Sequence, residues 1–264
     1  RDINKSIHYY SLAANQNYPD AQFKLGIIYY EGKYIERNIN KSIYYLSLAA
    51  NQNYPDAQHI LGFFYYEGKY IEQDINKAIH YLSLAARQNQ PDAQFKLGII
   101  YYEGKYIERD MNKAIQYLSL AANQNHLDAH IKLGIIYSEG KYIDPDINKI
   151  IHHFTLVAKL NHPGAQHILG IIYSEGKYIE RNINKAIHYF SLAANQNYPG
   201  AQLKLGFIYY EGKYIGRDIN KAIHYFSLAA NQNYPGAQTN LGSIYYEGKY
   251  IERDINKAIY YYSL

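Results

Sequence analysis

The 264-residue sequence predicts an all-α fold, an α-solenoid of antiparallel helix hairpins, and three observations predict it. Leu-Gly recurs at Gly26, Gly62, Gly98, Gly134, Gly170, Gly206 and Gly242, always 36 residues apart and with no insertion or deletion. Each copy holds two stretches with apolar residues at three- and four-residue spacing, the period of one helical face. The breaks between these stretches are short, so neighbouring helices run antiparallel. Repetition in strict register means one structural unit, stacked, with each hairpin burying its apolar face on the next. The chain therefore reads as a single solenoid over 1-264, with copies at 1-36, 37-72, 73-108, 109-144, 145-180, 181-216 and 217-252 and a partial copy at 253-264. Arg1 enters the pattern midway, as expected of a fragment of a longer chain.

In the first copy a helix is predicted from Asp2 to Asn15, with Ile3, Ile7, Tyr10 and Ala14 on one face. Asp2 suits the N-cap, where its charge meets the positive end of the helix dipole. The helix ends at Asn15-Gln16-Asn17, and Asn tolerates the left-handed conformation a terminus needs. Pro19 suits the first turn of the next helix, which carries Ala21, Leu25, Ile28 and Tyr29 and ends at the natural left-handed cap Gly32. Gly26 is the oddity, because an interior helical Gly costs about 1 kcal/mol relative to Ala. Seven such glycines predict a close helix crossing with no room for a methyl, and the small Ala13 and Ala14 fit the same picture.

Composition narrows the function. The absence of Cys excludes disulfide scaffolds, thiol catalysis and Cys-ligated zinc. No apolar run approaches the roughly 20 residues of a membrane span, and no leader pattern is present, which favours a cytoplasmic location. The net charge of +4 comes from interleaved charges, 27 basic against 23 acidic, whereas nucleic-acid and membrane surfaces need clustered positive charge.

The pattern formed by Ala57, Leu61, Gly62, Tyr65, Gly68, Asp74, Lys77, Ala78, Tyr81, Ala85 and Ala86 resembles that of the Sel-1-like repeats, relatives of the tetratricopeptide repeats, along the whole chain. Two departures stand out: Tyr34, Tyr70, Tyr106, Tyr142, Tyr178, Tyr214 and Tyr250 replace a family Gly, and Asn17 and its equivalents replace another. Those tyrosines are expected to pack across repeat boundaries. The resemblance implies a right-handed superhelix with a concave surface and a role in holding other proteins together; it implies no reaction.

By analogy with tetratricopeptide arrays, Asp20, Phe23, Ile27 and Tyr30 line the concave groove. Comparing the copies with one another adds to this. The Phe23 column continues His59, Phe95, Ile131, His167, Leu203 and Thr239; the Ile27 column Phe63, Ile99, Ile135, Ile171, Phe207 and Ser243; the Tyr30 column Tyr66, Tyr102, Ser138, Ser174, Tyr210 and Tyr246. These columns vary while Ala21, Leu25 and Tyr29 hardly do. The expected site is an apolar, tyrosine-rich groove for an extended peptide or amphipathic helix; free drift of exposed positions in a duplicated array gives the same pattern. The copy at 145-180 is the outlier, with Pro145, Ile150, His153, Thr155, Val157, Lys159 and Leu160. It reads as a recognition centre, a local bend or a decayed copy.

Chemical motifs are incomplete. His8, His80, His152, His188 and His224 share one column, one per hairpin, and read as a solvated face. His126 with His130, and His152, His153, His162 and His167, are the best local metal sets, yet both lack the Glu-containing zinc pattern and read as surface residues. Ser138 to Lys141 and Ser174 to Lys177 match Ser-x-x-Lys without its companion motifs. Gly26 to Lys33 has a five-residue gap where a phosphate loop has four, and the Asp2 loop lacks the calcium-site Gly and Glu. Asn4-Lys5-Ser6 and Asn40-Lys41-Ser42 are sequons in form but lie on predicted helices. The expectation is therefore a non-enzymatic adaptor, without cofactor or metal, binding a protein or peptide and no nucleic acid. The competing expectation is a spacer that tethers another domain, such as a kinase or a membrane-associated assembly. The bare ends, with Ile3 and Ile7 at one and Tyr261 and Leu264 at the other, are expected to favour end-to-end association.

Overall fold

The structure, a computed structural model, describes residues 3–177 and 179–264. Asp2, the side chain of Ile3 and Tyr178, each given a role from the sequence, lie outside the described residues. Among the described residues fifteen α-helices follow one another: α1 (Ile3–Asn15), α2 (Pro19–Glu31), α3 (Ile39–Asn51), α4 (Pro55–Glu67), α5 (Ile75–Arg87), α6 (Pro91–Glu103), α7 (Met111–Ala122), α8 (Leu127–Glu139), α9 (Ile147–Lys159), α10 (Pro163–Glu175), α11 (Ile183–Ala194), α12 (Pro199–Glu211), α13 (Ile219–Ala230), α14 (Pro235–Glu247) and α15 (Ile255–Ser263). There is no strand among the described residues. The chain divides into two compact units, residues 1–133 and 134–264.

Local chemistry sets the helix ends. The odd-numbered helices start, from α3 onward, on a side chain that accepts a backbone N–H from the first turn: Asn38 from Lys41, Asp74 from Lys77, Asp110 from Lys113, Asn182 from Lys185 and Asp218 from Lys221. They end on an asparagine at positive φ, 68° at Asn17 and 60° at Asn53. There Tyr54 N donates to the Ala49 carbonyl and Asn53 N to the Ala50 carbonyl, closing the two nested rings of a Schellman turn. The even-numbered helices mostly start on proline and end on a left-handed glycine such as Gly32, whose N–H reaches the Ile28 carbonyl at 3.1 Å.

The Leu-Gly glycines explain the packing. A Cβ at Gly26 would lie 2.7 Å from Leu46 Cγ, so α2 and α3 touch where the side chain is missing. In unit 2 the partner residue is aromatic, and a Cβ at Gly170 would lie 2.5 Å from the Phe190 ring. Leu46, Leu82 and Leu118 fill the first unit's core; Phe190 and Phe226 do so in the second, all fully buried. Beside each crossing runs a stacked ring pair: Tyr29 on Tyr45 at 5.9 Å, Tyr65 on Tyr81 at 5.9 Å, and Tyr137 on His153 at 6.0 Å. Lys41, Lys77 and Lys149 place their ammonium groups over the first ring of these pairs, at 4.7 to 5.3 Å.

A second ladder is polar. Gln22, Gln58, Gln94, Gln166 and Gln202 are buried, donate to the carbonyls of Ala14, Ala50, Ala86, Ala158 and Ala194, and accept at 2.8 Å from Gln52, Gln88, Gln124, Gln196 and Gln232. Each rung satisfies both ends of a buried amide, as burial requires.

Several expectations change. His130, read as a surface residue, is buried, because it occupies the position where the other repeats bury a ladder glutamine. Tyr261 is not bare, because it stacks on Tyr245 at 5.8 Å; Leu264 is 54% exposed. The divergent copy keeps its helices: Ile150 and Val157 are buried and His153 takes the stacking place of a tyrosine. Ser42 of the second sequon sits fully buried in α3.

Candidate functional site

The proposed groove columns recur at spacings of four and three, so each repeat offers three positions on one helical face. In the first unit α2 carries Phe23, Ile27 and Tyr30; α4 carries His59, Phe63 and Tyr66; α6 carries Phe95, Ile99 and Tyr102; α8 carries Ile131. All are half-buried except Phe63, which is exposed. In the second unit Ile135 lies on α8, His167 and Ile171 on α10, Leu203, Phe207 and Tyr210 on α12, and Tyr246 on α14. Again all are half-buried except the exposed Tyr246.

The half-burial comes from contacts between repeats. Tyr30 meets Tyr70 edge-on at 5.6 Å, Tyr66 meets Tyr106 at 5.8 Å and Tyr210 meets Tyr250 at 5.9 Å. These are the cross-boundary contacts expected of the tyrosines after the turn glycine. Phe23 packs on Tyr54 at 5.0 Å, and Phe95 stacks on His126 at 4.6 Å.

Charges frame the rings in the first unit. Tyr66 donates its hydroxyl to Glu103 Oε2 at 3.2 Å, while Lys96 Nζ lies 3.9 Å above the ring and 3.3 Å from Glu67 Oε1. Burial, reinforced by the Glu103 carboxylate, pushes the Tyr66 phenol up to about 12. Tyr54 reaches about 12 as well, from burial and its hydrogen bond to Asp20 at 3.0 Å. Burial lowers His59, against the opposing pull of Asp92 and Asp56. Asp20, Asp56 and Asp92 thus border the first unit's row. The second unit has Gly164, Gly200 and Gly236 in that column. His167, set between Phe190 and Tyr198 there, falls to about 4 because burial disfavours its charged form and Lys204 repels it.

Sequence comparison missed Lys96, Lys132 and Glu103, which give the row its polarity; Lys132 Nζ stands 3.6 Å over Tyr102. The signal was present, since the column of Lys24 also varies, through Ile60, Lys96, Lys132, Ile168, Lys204 and Asn240. The histidine sets have other uses. His126 and His162 cap α8 and α10 by accepting the N–H of Ala129 and Ala165, and the column of His80 is exposed. Among the described residues no three His, Asp or Glu side chains are placed to hold a metal ion, and no helix is long and apolar enough to cross a membrane.

The model of the Sel1 repeat matches residues 1–18, 19–54, 55–90, 91–126, 127–162, 163–198, 199–234 and 235–264. The chain is a Sel1-repeat protein. The family's hairpin begins at Pro19, so its unit pairs α2 with α3, the two helices that meet at Gly26. A solved protective antigen of uropathogenic Escherichia coli strains, which displays an SLR fold, is 27% identical with a TM-score of 0.88 over 97% of this chain and 55% of the antigen. This Sel1-repeat chain thus spans about half the length of that relative. A Sel1 repeat protein from Oxalobacter formigenes is 29% identical, with a TM-score of 0.73 over 99% of this chain and 76% of the other. No curated protein matches the sequence. Sel1-repeat proteins are in general non-catalytic scaffolds for protein–protein interaction.

Proposed function

We propose that this Sel1-repeat chain is an adaptor that binds an extended peptide of a protein partner along the row of Phe23, Tyr30, Phe63, Tyr66, Phe95 and Tyr102. The observation that carries this reading is the environment of Tyr66. Its ring keeps one face against the core cluster while Lys96, Glu67 and Glu103 ring it with fixed charges. Half-buried aromatic rings supply contact area at little entropic cost, and the flanking charges answer a peptide backbone and its polar side chains. Repetition of this environment at 36-residue intervals suits a ligand read several residues at a time.

The test uses a substitution that the array itself makes, since Ser138 and Ser174 occupy the tyrosine column. Peptides selected from a displayed library against the chain are expected to bind Tyr66→Ser, Tyr102→Ser at least about tenfold more weakly, with unchanged helicity. Equal binding to both proteins would remove the row as the binding face and favour the spacer that tethers another domain.

A further inference from the structure

One repeat of the second unit holds a cavity in the place where other repeats hold a ring. It has a volume of about 220 Å³ and is bounded by Ile135 and Ser138 on α8, Ile147, Ile150 and Phe154 on α9, and Ile168 and Ile172 on α10. Apart from the Ser138 hydroxyl, which turns back to the Ile135 carbonyl at 2.8 Å, every described side chain around it is apolar.

The internal repeats show what fills this volume elsewhere. Ser138 stands in the column of Tyr30, and Phe154, Ile168 and Ile172 stand in those of Leu46, Ile60 and Phe64. In the first repeat the Tyr30 ring packs on the cluster of Leu46 and Phe64, with Ile27 and Ile60 beside it, and lies 5.4 Å from the Phe64 ring. Tyr66 and Tyr210 pack in the same way on the clusters containing Leu82 and Ile100, and Phe226 and Ile244. At Ser138 the walls remain and the ring is gone. Ile168 stands where Lys96 and Lys132 lie over Tyr66 and Tyr102, as Ile60 does beside Tyr30. Among the described residues the place thus holds neither the ring nor the lysine of those two columns. At Ser174 the corresponding lysine, Lys204, is kept.

We propose that this cavity is the anchor pocket for a tyrosine side chain of the protein partner, which supplies in trans the ring that Tyr30, Tyr66 and Tyr210 supply in cis. This rests on the reading of the row as a peptide-binding face. An apolar cavity of about 150 Å³ already admits a benzene ring, so the volume suffices. Tyrosine is favoured over phenylalanine because Glu175 stands at the position of Glu103, the acceptor of the Tyr66 hydroxyl. Burying a ring in an apolar pocket beside an acceptor is the arrangement of an interface hot spot.

The probe is p-cresol, the tyrosine side chain without its backbone, titrated into the full chain and followed by the methyl resonances of Ile135, Ile168 and Ile172. Saturable shifts are expected, at least about tenfold weaker in Ser138→Tyr and in Ser138→Leu, which fill the pocket from within, and weaker for toluene than for p-cresol. Two fillings of different shape guard against one that fails to fold. No saturable shift, equal shifts in the filled variants, or equal affinity for toluene would overturn the assignment. Peptides that lose binding to Tyr66→Ser yet bind Ser138→Tyr unchanged would also overturn it and leave the row standing. Peptides insensitive to both would instead remove the row itself.

Discussion

Gly62 lies so close to Leu82 that a Cβ on the glycine would sit 2.7 Å from Leu82 Cγ and 3.1 Å from its backbone nitrogen. Leu82 is fully buried, so it has little room to yield. Gly62→Ala gains about 1 kcal/mol of helix propensity but meets an overpacking cost of roughly 1–3 kcal/mol. A net loss of stability is expected, seen as a lower Tm. Gly236→Ala is the control: the nearest side-chain atom, Leu203 Cδ2, is an ordinary 3.6 Å away, and Tm is expected to hold or rise. A Gly62→Ala chain as stable as the parent would contradict the close crossing.

Ser42 presents the opposite case, a group the fold would gain from losing. Its hydroxyl is fully buried in α3 and has no hydrogen-bond partner among the described residues, while the same column holds Ala78, Ala114, Ala186, Ala222 and Ala258. An unsatisfied buried hydroxyl costs about 1 kcal/mol or more. Ser42→Ala is expected to stabilise the chain by roughly that amount in chemical denaturation, and a loss of stability would show that the hydroxyl has a partner in solution.

His167 predicts a pH dependence. Burial between Phe190 and Tyr198, with Lys204 adding repulsion, lowers it to about 4, and its Nε2 finds no partner among the described residues. A lowered histidine is neutral in the folded chain where the unfolded chain, titrating near 6.5, takes up a proton. The unfolded state is therefore favoured as pH falls from about 6.5 to about 4, and stability drops across that window. His167→Phe, the residue found in this column at Phe23 and Phe95, is expected to flatten that part of the Tm profile. An unchanged slope would assign the loss to other groups.

The legible part of this protein was the part set by short-range chemistry repeated many times. Helix ends follow from Asp74, Pro55, Asn53 and Gly68, because capping, fixed proline φ and left-handed geometry act within a few residues. The glycines announced a close crossing because their cost recurs at Gly26 and six further positions with only one common cause. The sequence alone also placed the chain among the Sel1 repeats and put the columns proposed for the groove on one face of each even helix.

Only the tertiary structure decided what those columns meet. Half-burial of Tyr66, its hydrogen bond to Glu103 and the ammonium of Lys96 above it join residues 30 to 37 positions apart, a separation at which helical periodicity carries no information. His130 looked like a surface histidine because a polar residue read alone suggests solvent, whereas the ladder of Gln22, Gln58 and Gln94 makes its column an interior one. The cavity beside Ser138 was invisible for the same reason. A serine in a tyrosine column reads as drift until the walls of Phe154, Ile168 and Ile172 are seen to bound an apolar volume of about 220 Å³ beside it.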